Sequence, residues 1–183
     1  DTDYFALKYA WNSEPDASGT WNVVVVDDSS DSDIPGWSSS LAVINGHPAI
    51  SYQDGASQSL KYAWSSQPDG SSGWSTLTVD SEPFSGEWNS LCEVDGKPAI
   101  SYHGEGSLRY AYSSDPVGAS GWNYLIVDSA DANSGLYTSL AVVDGKPAIS
   151  YGNAEAGGDH SLKYAYSDLP TGASGWHTLT IDT

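Results

Sequence analysis

The chain has 183 residues, 24 of them acidic and 6 basic, for a net charge of −18. That balance disfavours nucleic acid and anionic membrane surfaces as partners, because their phosphates need Lys and Arg to neutralise them. The lone Cys92 excludes an intrachain disulfide and reads as a small apolar residue, and no apolar run approaches the roughly 18 residues of a membrane span, so membrane insertion is not expected.

The first elements in the chain are Leu7-Lys-Tyr-Ala10 and Trp21-Asn-Val-Val-Val-Val-Asp27. Both blocks return three times. Leu60-Lys-Tyr-Ala63, Leu108-Arg-Tyr-Ala111 and Leu162-Lys-Tyr-Ala165 repeat the first, and the runs Trp74–Asp80, Trp122–Asp128 and Trp176–Asp182 repeat the second. A period of about 50 residues belongs to the range of propellers, in which each unit is a four-stranded antiparallel sheet.

From residue 37 onward each unit gains two further strands. In the middle unit Ser90–Val94 is a strand, Asp95-Gly96 is the pair that a two-residue hairpin turn favours, and Pro98–Tyr102 is the returning strand. Asn45-Gly46 and Asp144-Gly145 mark the same hairpin in the other two units. Leu108–Ser113 and Trp122–Asp128 follow as third and fourth strands, joined by the turn-rich segment 114–121. Alternation sets Ile100 and Tyr102 on one face and the small Ala99 and Ser101 on the other, which suits sheets that stack on copies of themselves. No segment has helical apolar spacing. The expected fold is all-β: a propeller-like array in one domain, with three complete blades at 37–80, 88–128 and 137–182 and an N-terminal half-blade at 4–27.

The pattern "SLAV-DGKPAISY…LKYA…GW…VD" resembles a family of bacterial exported β-propeller repeats of the "ISYYD…LKYA" type. The segment from Ser114 to Trp122, with its counterparts before Trp74 and Trp176, resembles a lengthened Asp-box turn of sialidase-like propellers. The resemblance implies fold, and such repeats host many functions. Sialidase chemistry itself is not expected, since it needs an arginine cluster and Arg109 is the single arginine.

In this arrangement the loops after second and fourth strands share one side. They carry more than half of the acidic residues, Asp27, Asp54, Asp80, Glu105 and Asp128 among them, and no Lys or Arg. A strongly negative face is expected there, suited to cations, neutral glycans or basic partners. Asp31, Asp33, Asp128, Asp131 and Asn133 lie in two loops that fit either solvated turns or calcium ligation. Trp37, Trp88 and Tyr137 precede the first strands on the same side and fit either packing between blades or stacking on sugar rings. His47, His103, His160 and His177 fall at unrelated positions of the repeat.

The half-blade leaves Val23, Val24, Val25 and Val26 as a β-branched edge that invites pairing. No G-x-S-x-G, H-E-x-x-H, P-loop or C-x-x-C pattern occurs. The leading expectation is therefore a non-enzymatic, self-associating structural module, as in a fibre, surface or adhesin subunit. A glycan-binding propeller is the alternative, and an enzyme using an acid pair such as Glu105 and Asp159 is a third reading. Abundant Ser, Gly, Thr and Trp with scarce Lys and Arg fits an extracellular or cell-surface protein, and the absence of Met fits a processed product or part of a longer chain.

Overall fold

A computed structural model describes residues 6–14, 16–28, 35–130, 133–154 and 160–183. Among these residues the chain is all-β. β1 (Leu7–Trp11) and β2 (Asn22–Asp27) form a two-stranded sheet. β3 (Pro35–Ile44), β4 (His47–Asp54), β5 (Ser59–Ser65) and β6 (Trp74–Asp80) form the first of three four-stranded antiparallel sheets. β7 (Glu87–Val94), β8 (Lys97–Gly104), β9 (Ser107–Ser113) and β10 (Trp122–Asp128) form the next, and β11 (Ser134–Val143), β12 (Lys146–Ala154), β13 (His160–Ser167) and β14 (Trp176–Asp182) the last.

Local chemistry explains the strand ends. Asn45, Asp95 and Asp144 sit at φ near +50°, each followed by a glycine at φ between +70° and +78°, which is the backbone of a turn that lets two twisted strands reverse without splaying. The longer connection between third and fourth strands is tied by its own side chains. Ser65, Ser113 and Ser167 each donate a hydroxyl to a carbonyl seven residues on, and the indoles of Trp74, Trp122 and Trp176 each bond the carbonyl four residues back.

The core lies between successive sheets. Leu60 and Tyr62 of one sheet meet Leu91, Ile100, Tyr102 and Ala111 of the next, and Leu108 and Tyr110 meet Leu140, Ile149, Tyr151 and Ala165. Each fourth-strand tryptophan tilts over the preceding sheet's tyrosine: Trp74 on Tyr9, Trp122 on Tyr62 and Trp176 on Tyr110, at 5.2, 5.1 and 4.9 Å between ring centroids. The first strands β3, β7 and β11 run side by side, whereas the fourth strands splay apart.

An ion site closes every interface. In the first three sheets the carboxylate that ends the fourth strand accepts a tyrosine hydroxyl and a cation from the following sheet. Asp80 takes Tyr102 at 2.8 Å and Arg109 at 2.9 Å, and Asp128 takes Tyr151 and Lys163, both at 2.6 Å. Asp27 takes Tyr52 and, at 2.5 Å, Lys61, which also lies 3.4 Å from Asp54. The expected face of uncompensated acids needs correction on this point. Its most regular members are sunk between sheets and neutralised by third-strand cations, which sequence position alone had set apart from them.

The valine run also reads differently. β2 is a fourth strand, and β6, β10 and β14 are sheet edges in the same way. Val26 is buried against Leu7, Ile50 and Tyr52, while Val23 and Val25 face outward. The edge peculiar to the N-terminal sheet is that of β1, where the other sheets carry a second strand.

The Asp128 carboxyl is held below its ordinary value: burial pushes it up, and hydrogen bonds from Lys163, Tyr151 and the Ala130 N–H outweigh that. A carboxyl lowered in the fold adds stability above its ordinary value, near 3.8, and the fold loses that stability as the pH falls through the folded value. Urea unfolding should therefore show stability falling below about pH 4. Asp128→Asn should lower stability at pH 7 by about 3 kcal/mol and flatten the acid dependence.

Candidate functional site

The first strands share an irregularity. Register shifts open between Trp37 and Ser40, between Glu87 and Ser90, and between Leu136 and Ser139. At the extra residue the backbone turns left-handed, with φ of 48° at Ser38, 48° at Trp88 and 53° at Tyr137. Aligned on Ser40, Ser90 and Ser139, the three aromatics of the sequence analysis do not occupy one position. Trp88 and Tyr137 correspond to Ser38, and Trp37 corresponds to Glu87 and Leu136.

Aromatic residues rarely adopt this conformation, because Cβ crowds the backbone. Here it is locked by the following sheet. The Asn89 side-chain amide donates to the Ser38 carbonyl, and to that of Gly86 at 2.9 Å, while the Ser51 hydroxyl holds the Asn89 oxygen at 2.5 Å. One sheet on, the Thr138 hydroxyl, in contact with that of Ser101 at 2.8 Å, donates to the Trp88 carbonyl at 2.8 Å. The strained peptides of Ser38 and Trp88 thus have fixed partners, and the Trp88 ring projects from a rigid base.

The result is an aromatic pair between neighbouring first strands. Trp88 and Tyr137 lie 5.2 Å apart at 53°, and Tyr137 keeps 73% of its surface exposed. His103 meets Trp88 edge-on at 5.4 Å, its ring set by an Nδ1–H bond to the Ser134 carbonyl at 2.7 Å. Glu87 stands opposite His103 in the ladder, and Glu105 occupies the adjoining turn at φ 48°. On the opposite face of the same sheet, which meets β6, Arg109 donates to Asp80 and, at 3.0 Å, to Glu105. Burial disfavours its charge, but Asp80 outweighs burial and holds the guanidinium above its ordinary value. The Glu105 carboxylate itself stays about half exposed. On the side toward the last sheet, a planar apolar surface thus adjoins the Glu87 position.

Other expected residues are not brought together. Asp128 is committed to Lys163 and Tyr151, and the Asn133 carbonyl accepts the Ala154 N–H. Asp31, Asp33, Asp131 and Asp159 lie outside the described residues. Among the described residues no three His, Cys, Asp or Glu side chains converge as metal ligands.

A second concavity was not foreseen. At the opposite end of the sheets, a cavity of about 250 Å³ lies between the last two, lined by Val94, Lys97, Pro98, Tyr110, Tyr112 and Thr171 among others. In the preceding interface Trp64 replaces Tyr112, and Glu93 reaches across to the Asn45 N–H at 2.6 Å, whereas Val142 stands at that position one sheet later. Comparing repeats for their differences would have exposed this site.

No protein-family model and no curated protein matches the chain. Solved structures do, in fold. An α-L-arabinofuranosidase from Lactobacillus brevis superposes with a TM-score of 0.58 at 10% identity, over 79% of this chain and 53% of its own. A bifunctional GH43-CE protein of Bacteroides eggerthii gives 0.57 at 16%, over 88% and 23%, and a family 117 glycoside hydrolase of Zobellia galactanivorans gives 0.52 at 14%, over 97% and 62%. The fold is that of β-propellers. The chain spans less than two thirds of the length of each.

These likenesses overturn the expectation of a non-enzymatic, self-assembling structural module. The similar propellers named above are glycoside-hydrolase propellers, which points toward glycan-active chemistry and away from a fibre, surface or adhesin subunit. The missing motifs carried too much weight in that expectation. Glycoside hydrolysis rests on paired carboxylates distant in sequence, which leave no local signature.

Strain at the aromatic pair has a measurable consequence. Trp88→Gly removes about 1 kcal/mol of backbone strain and a ring contact of similar worth. Its melting temperature should stay within about 3 °C of the parent. Thr138→Val, which strips the Trp88 carbonyl of its donor, should instead cost about 1–2 kcal/mol in chemical unfolding.

Proposed function

We propose that this chain is the glycan-recognising part of a β-propeller, and that it holds a neutral sugar chain on the Trp88–Tyr137 pair. One observation carries the reading: two aromatic rings are kept in a costly left-handed backbone, side by side and partly exposed, where a serine serves in the first repeat. A pyranose or furanose offers C–H faces that stack on such rings and hydroxyls that donate to carboxylates. Glu87, opposite His103, supplies an acceptor beside the pair, and the charge of −18 repels phosphorylated or uronate-bearing chains. The likeness to arabinofuranosidase propellers supports arabinose-containing oligosaccharides as the first class to try. An exported location belongs to the same reading.

Isothermal titration against neutral and uronate-containing oligosaccharides tests it. Binding should be confined to the neutral set and insensitive to salt, and Trp88→Ala and Tyr137→Ala should each weaken it at least about tenfold, or 1.4 kcal/mol. Equal binding of uronates, or indifference to both substitutions, would sink the proposal. Reducing-sugar release that is lost in Glu105→Gln would add hydrolysis to recognition.

A further inference from the structure

The last sheet ends in a face that every other sheet buries. Leu7, Leu60 and Leu108 are 6%, 0% and 0% exposed, whereas their counterpart Leu162 is 49% exposed, and Leu179 and Ile181 beside it are also open. In the covered interfaces a glycine at or just before the start of the next sheet's first strand lies on that leucine. A Cβ on Gly86 would come within 3.1 Å of the Leu60 Cα, and one on Gly135 within 2.8 Å of the Leu108 Cα. Asp27, Asp80 and Asp128 each take a tyrosine and a cation there, while Asp182, at the same position, is exposed and bonds only its neighbour's N–H among the described contacts.

We infer that this face is the seat of a further blade with the chemistry of the three interfaces already formed. The occupant carries a glycine where its first strand begins, a tyrosine in its second strand and a lysine or arginine in its third, the last two closing on Asp182. An asparagine or threonine on its first strand caps the Tyr137 carbonyl, as Asn89 and Thr138 cap those of Ser38 and Trp88. A second copy of this chain is the wrong shape. Among the described residues its leading sheet presents Lys8 and Trp21 but no first or second strand to carry the glycine and the tyrosine. The propellers of similar fold, of whose length this chain spans 23 to 62%, leave room for such a blade.

Appending a copy of residues 82–128 after Thr183 tests this, because it reproduces the connection that follows Asp80. The extended protein should melt several degrees higher, and amide exchange at Leu179 and Ile181 should slow at least about tenfold. Asp182→Asn should abolish most of that gain while leaving the unextended chain within about 1 °C of its parent. Equal effects of Asp182→Asn in both proteins would overturn the inference. So would an appended blade that exchanges as an unfolded chain, since the same sequence already folds against β5 and β6. Dimerisation of the unextended protein that buries Leu179 and Ile181 would overturn it as well.

Discussion

The carboxylate at the end of each fourth strand is the constraint on which the arrangement of sheets rests. Apolar stacking between sheets is strong but non-directional, and alone it would let one sheet slide or rotate over the next. A buried carboxylate is unforgiving in a different way. Its desolvation costs several kcal/mol unless a cation and further donors meet it in good geometry, and the tyrosine and the Lys or Arg come from the next sheet's second and third strands. Only one relative placement of two sheets satisfies Asp80, Tyr102 and Arg109 together. Three of the six basic residues in the chain, Lys61, Arg109 and Lys163, serve this purpose, so the cations are scarce at the surface because they are employed inside.

That placement fixes everything nearer the axis. Once successive sheets are locked, the first strands lie close enough for Asn89 and Thr138 to reach the carbonyls of the preceding bulge. At Ser38 and Trp88 the left-handed backbone then persists because the peptide gains a partner from the following sheet. The aromatic pair therefore depends on the ion sites although it touches none of them directly. The chain of dependence runs from Asp80 through the sheet interface to the Trp88 backbone.

Much of this fold was legible because the repeat is written in local chemistry. The Asn-Gly and Asp-Gly turns, the alternation in "PAISY" and the tryptophan that opens each fourth strand all act within a few residues of themselves. The ion sites were not legible for the opposite reason. Asp80 and Arg109 belong to different repeats, and in a repetitive sequence every aspartate has several equivalent lysines to choose from, so only the stacking direction decides. The aromatic site was half legible. Trp88 and Tyr137 were picked out, but the bulge adds a residue that shifts Trp37 out of their register, and alignment on the following Ser-Leu pair would have shown it.

The positions that keep step through the repeats, such as Leu108, Tyr110 and Trp122, are those that the interfaces consume. Specific chemistry has to be sought where the repeat is broken. Ser38 gives way to Trp88 and Tyr137 at one end of the sheets, and Trp64 and Glu93 give way to Tyr112 and Val142 at the other. Both departures leave the sheet interfaces intact, since the first alters residues that point away from the core and the second opens a cavity beside it. A stacked-sheet scaffold tolerates this because its stability resides in nearest-neighbour contacts that each repeat supplies again. One repeat can then be altered toward a ligand without disturbing the others, provided that its leucine, tyrosine, cation and terminal aspartate are kept.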